Sequence, residues 1–154
     1  MKLIAEKLGK TDKYDRLRFV RADASETQTS MPRQGTLPHD LVHYIVESAL
    51  PLPHGFLGLV AAGSDAGFVM QAIHDTANPN IATEAVQAEA IVEALQTQLW
   101  GGSFELEAFL EGVRSASAAR GKPAFDFTGI DAKTHLYEAA LTLFERWNRV
   151  PQHQ

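Results

Sequence analysis

Arg16-Leu17-Arg18-Phe19-Val20-Arg21 alternates charged and apolar side chains from Arg16 to Phe19. A period of two belongs to a strand with one wet face, and here it puts Leu17 and Phe19 together on the dry side. Outward from that stretch, Leu3, Ala5 and Leu8 suggest a short strand before it. Ala22-Asp23-Ala24-Ser25 reads as a turn, and Glu26-Thr27-Gln28-Thr29-Ser30-Met31 as a more polar strand after it. Residues 1–33 therefore predict a small antiparallel meander.

From residue 36 the period changes to that of helices. Thr36 is placed to cap a helix with Pro38 in its first turn, running to about Leu50, where Pro51-Leu52-Pro53 stops it. The apolar, glycine-punctuated run from Gly55 to Ile73 reads as mostly helical and buried. Asn78-Pro79-Asn80 reads as a loop. Thr83 then caps a long helix closed by Gly101-Gly102, Ser103 caps another ending at Gly121-Lys122-Pro123, and Asp131 caps the last. The inward positions are Leu41, Ile45, Val92, Leu95, Leu110, Leu143 and Trp147. The whole, residues 1–154, predicts one α+β domain: a strand-rich start (1–33) and a remainder, 36–150, of about four to five helices.

Composition narrows the functional classes. The 154 residues are 45% hydrophobic and 21% charged, enough for a core without staples. The absence of cysteine removes disulfides, thiolate metal sites and cysteine nucleophiles, and suits the cytoplasm. The start, Met1-Lys2-Leu3-Ile4-Ala5-Glu6-Lys7, has no apolar signal-peptide core, and no stretch approaches the ~20 apolar residues needed to span a bilayer. These readings point to a cytoplasmic protein with no membrane partner. The net charge is −5, with a balance of +3 in residues 1–33 and −8 in the rest. An acidic body argues against nucleic acid as a partner, and the basic start reads as self-complementary packing or solvation, with an anion or an acidic partner as the alternative.

Chemistry is concentrated in Pro38-His39-Asp40-Leu41-Val42-His43-Tyr44-Ile45-Val46-Glu47. At 3.6 residues per turn His39, His43 and Glu47 stack along one face, with Asp40 beside them. Imidazoles four apart can share one divalent metal, zinc by default, and a neighbouring carboxylate can serve a metal-bound water. Glu47 lies about 6 Å further along the axis than His43, which suits a carboxylate that orients His43 better than a ligand. A third ligand must come from elsewhere. His74 is the best candidate, with Asp65 and Glu84 weaker and His54 carried off by the proline break. His135 and His153 read as solvent-facing or terminal. The helix has no Lys or Arg, unlike most solvent-facing helices.

His39-Asp40-Leu41-Val42-His43 resembles the HExxH helix of the zincin metallopeptidases, with aspartate where that family has glutamate. The resemblance covers five residues. It implies that His39 and His43 bind zinc and that Asp40 is the general base, one methylene shorter than the family's glutamate. The wider string Leu37–Glu47, followed by Gly55-Phe56-Leu57-Gly58-Leu59-Val60-Ala61-Ala62-Gly63, resembles uncharacterised bacterial proteins, a likeness that implies no activity.

The expectation is thus a metal-binding protein, with His39, His43 and His74 on the metal, Asp40 and Glu47 as catalytic carboxylates, and hydrolysis as the reaction. The rival is a non-catalytic interaction or assembly module, such as a homo-oligomer, whose histidine helix is a solvated face. A metal-free acid–base site using His43 and Glu47 is a third reading.

Overall fold

The structure, a computed structural model, describes residues 1–74 and 82–154, so the loop expected at Asn78-Pro79-Asn80 lies outside the described residues. Three antiparallel strands, β1 (Lys2–Glu6), β2 (Tyr14–Val20) and β3 (Glu26–Pro32), form a sheet in chain order. Leu3 pairs with Phe19 and Ala5 with Leu17 across β1–β2, and Leu17 with Thr29 across β2–β3. That register puts Leu3, Ala5, Leu17, Phe19 and Met31 on the face that packs on the helices, with Leu17 and Phe19 fully buried. On the opposite face Glu6 pairs with Arg16 and Arg18, and Arg18 also with Glu26. Arg33 forks onto the buried Asp15, and Arg21 donates to the carbonyls of Val60 and Ser64. Much of the basic charge of residues 1–33 is therefore consumed in building the sheet and docking it.

The remainder is helical: α1 (His39–Ala49), α2 (Phe56–Ala61), α3 (Ala66–His74), α4 (Thr83–Gly101), α5 (Leu106–Ala119) and α6 (Ala139–Asn148), the last continuing a π-helical segment, Lys133–Glu138. The chain is an α+β protein, and among its described residues no helix is long and apolar enough to cross a membrane. α4 is the central helix, with Ala85, Val86, Ala88, Ile91, Val92 and Leu95 all buried, and it packs against α1 and α5. Phe19 meets Phe56 edge-on at 5.6 Å between centroids, which ties the sheet to α2.

Several local expectations are revised. Helix α1 begins at His39, not at Thr36: Pro38 occupies the cap position in an extended conformation (ψ 143°), and the Thr36 hydroxyl is buried without a partner. Thr83 is the first residue of α4 and makes no capping bond, and α5 begins at Leu106, three residues after Ser103. Asp131 does cap, accepting from Thr134 N at 3.1 Å. The run Gly55–Ile73 divides into two short helices around Gly63, whose φ of +117° suits only glycine. Of the seven inward positions, Leu41, Val92, Leu95 and Trp147 are buried, whereas Ile45, Leu110 and Leu143 are half-buried.

Helix α1 is buried on both its apolar and its polar arcs. Its buried side is Asp40, Leu41, Val42, His43 and Val46, while Tyr44 and Ala49 are exposed. The polar arc of this helix faces the protein, because α4 offers it polar partners.

Candidate functional site

Those partners are Glu89 and Gln96, two turns apart on α4. Glu89 is 0% exposed, set among Ala85, Ala88, Ala90 and Val92. A buried carboxylate persists only if it is compensated, and three imidazoles compensate this one. His43 Nε2 lies 2.7 Å from Glu89 Oε2, His74 Nε2 lies 2.7 Å from Glu89 Oε1, and His39 Nε2 stands 3.2 Å from the same carboxylate. The His39 and His74 rings are 5.4 Å apart, and those of His39 and His43 5.2 Å.

Each histidine is held by its other contacts. His39 Nδ1 is 2.8 Å from Gln96 Oε1. An amide oxygen can only accept, so Nδ1 carries the proton and Nε2 is the atom directed at the cluster. His43 is enclosed: Nδ1 lies 2.9 Å from Glu47 Oε2 and its ring packs on Phe56. Glu47 in turn accepts from Leu57 N at 2.9 Å, at the start of α2. A side chain at Gly55 would overlap the Glu47 carboxylate, so this close approach requires glycine there. His74, at the end of α3, is the exposed member, its side chain 46% accessible. Arg120 fixes that end of α3 by donating to Ile73 O at 3.2 Å while paired with Glu93 at 2.7 Å.

The electrostatics follow from these contacts. Burial disfavours charge on His43, but hydrogen bonds to Glu47 and Glu89 outweigh it and raise its pKa to about 10. His43 is then an imidazolium that donates from both nitrogens. Burial also opposes charge on His39, where Glu89 reverses the balance and raises the pKa. Glu89 shows the counterpart: burial would raise its pKa, and hydrogen bonds from His39, His43 and His74 hold it well below the ordinary carboxylate value.

Among the described residues, His39, His74 and Glu89 form a group whose potential ligand atoms all lie within 4.8 Å of one another. His43 stands behind Glu89 with both nitrogens engaged by carboxylates. His39 and His74 also line a cleft of ≈ 640 Å³, together with Asp40, residues 28–32 of β3, and Gly67, Met70 and Gln71 of α3. Asp40 accepts from the Thr29 hydroxyl at 2.6 Å. Glu47 does not reach this cleft. The weaker ligand candidates lie elsewhere: Asp65 bonds Thr27 and Phe68 N, and Glu84 pairs with His54.

The sequence places His39, His43, Asp40 and Glu47 on one helix face and names His74, and the fold brings all three histidines to one point. It does not name Glu89 or Gln96, although a lone glutamate inside Ala88-Glu89-Ala90-Ile91-Val92, with a glutamine two turns later, is the signal that would have found them. In comparisons with family models, with curated proteins and with solved structures, nothing matches the chain.

Proposed function

We propose that the protein binds a divalent cation through His39 Nε2, His74 Nε2 and the Glu89 carboxylate, and uses it for metal-assisted hydrolysis of a ligand held in the adjoining cleft. The observation that supports this is the convergence, within 4.8 Å, of two imidazoles that line a cleft and one carboxylate buried behind them. Three protein ligands leave a position for water, which is the donor pattern of catalytic rather than structural zinc. Zinc is the ion to test first, and the same donor set accepts nickel or iron(II). A cation there takes the place of the protons that His39 and His74 otherwise direct at Glu89. His43, clamped between Glu47 and Glu89, orients the carboxylate ligand and offsets its charge.

Supporting features are the fixed tautomer of His39 and the burial of the α1 polar face, which does not suit a solvated surface. A metal-free site using His43 and Glu47 is disfavoured, because both side chains are buried away from the cleft. The test is thermal melting of chelator-stripped protein with and without zinc. At a hundredfold excess over Kd, zinc adds about 2.7 kcal/mol, or roughly 5–10 °C for a chain of this size. His74→Ala, a change at a half-exposed side chain, should fold and lose that gain. No shift with zinc, nickel or manganese, or an equal shift in His74→Ala, overturns the proposal.

A further inference from the structure

The cleft beside the metal cluster has a sharply biased chemistry. Among the described residues its lining carries one carboxylate, Asp40, two histidines already engaged by Glu89, and otherwise hydroxyls, amides and the apolar side chains of Met31, Pro32 and Met70. No Lys or Arg lines it among the described residues, and residues 75–81 contain none. Asp40 is only 7% exposed, yet none of the ion pairs among the described residues includes it. Among the described residues its one side-chain hydrogen bond, from Thr29, satisfies Oδ2. The N-terminal turn of α1 offsets part of its charge, but a buried carboxylate gains most from a cation.

We infer that the cleft binds a ligand carrying a primary ammonium group, which pairs with Asp40, and an apolar body that lies over Pro32 and Met70. In the metal-free protein the same lining disfavours anionic ligands such as phosphate esters, because among the described residues no Lys or Arg stands there to receive them. The acidic body of the chain, at −8 over residues 34–154, attracts such a ligand and repels its carboxylate analogue. Asp40 is then an anchoring residue, in place of the general base that the histidine spacing suggests. The inference rests on the proposed metal centre only for what happens at the ligand's other end, since recognition of the ammonium requires no metal.

The experiment compares three probes of one shape, phenylbutylamine, phenylbutanol and phenylbutyrate, by calorimetric titration and protein NMR on the full chain, chelator-stripped and zinc-loaded. A charge-assisted bond in a partly buried site predicts that the amine binds on the order of tenfold or more tighter than the alcohol in both forms. The carboxylate should bind weakest to the stripped protein. Asp40→Asn should remove the amine's advantage. Gln71→Lys, an exposed change at the rim, should reduce it without disturbing the fold, which keeps the test decisive if Asp40→Asn folds poorly. Amine and alcohol binding equally, or an amine preference confined to the zinc-loaded form and unchanged in Asp40→Asn, overturns the inference. Amine selectivity in a protein that binds no zinc refutes the metal centre and leaves this inference standing. Zinc binding without amine selectivity does the reverse.

Discussion

Glu89→Gln is the substitution whose consequences follow most directly from the geometry. It keeps the shape of the side chain and removes its charge. Three imidazoles approach that carboxylate at 2.7, 2.7 and 3.2 Å, and Glu89 is wholly buried. His43, equally buried, then retains only Glu47 as a counter-charge. Breaking a buried pair by removing one partner costs about 3–5 kcal/mol, because the remaining charge is left poorly solvated in a dry site. In a chain of this size that is a fall in Tm of about 6–20 °C. Chelator-stripped wild type and variant would be compared by urea unfolding and by calorimetric melting. A second change, His43→Leu, removes the orphaned charge, so the double variant should be more stable than the sum of the two single losses implies. A loss under about 1 kcal/mol in Glu89→Gln, or strict additivity with His43→Leu, refutes the claim that this carboxylate and imidazole form one compensated unit.

Other expectations bear on the rest of the fold. Leu95→Ala, at a fully buried position on α4, should cost about 2–5 kcal/mol in denaturant unfolding, and Leu143→Ala, at a half-buried one, less than half as much. Asp15 is held below its ordinary pKa of 3.8: burial works against its charge, but Arg33 and Leu8 N outweigh it. A lowered folded-state pKa means the stabilisation is present above pH 3.8 and is lost as pH falls through the lower folded value. The stability gap between wild type and Asp15→Asn should therefore be constant at neutral pH and shrink in acid, as acid unfolding curves would register. Arg120→Met should weaken zinc affinity on the order of tenfold by freeing the end of α3 that carries His74, with cooperative unfolding retained. An unchanged affinity would separate Arg120 from the site.

The meander was legible because period-two alternation in Arg16–Phe19 can satisfy only one packing, with Leu17 and Phe19 inward. The helical remainder was legible from apolar spacing and from the Pro51-Leu52-Pro53 and Gly101-Gly102 stops. Helix starts were less so: Thr36, Thr83 and Ser103 are good caps in isolation, but each helix begins where its packing places it. The inward face of α1 was hidden for a related reason. Hydrophobicity assigns Ile45 to the core, yet the fold buries His43 and Val46 more deeply, because Glu89 and Gln96 on α4 supply the hydrogen bonds that His43 and His39 need. Such complementarity is a property of two helices together and is written in neither alone. The same holds for the proposed metal donors. Spacing pairs His39 with His43 on one helix, whereas the group within reach of one ion draws single residues from α1, α3 and α4.

X-ray absorption at the zinc edge, on protein loaded with one equivalent, reads the ligand set itself. The proposed centre predicts nitrogen and oxygen donors only, two imidazoles in wild type, one fewer in His74→Ala, and two retained in His43→Gln. An imidazole count unchanged by His74→Ala, or reduced by His43→Gln, would contradict it, as would a protein that leaves the zinc fully hydrated.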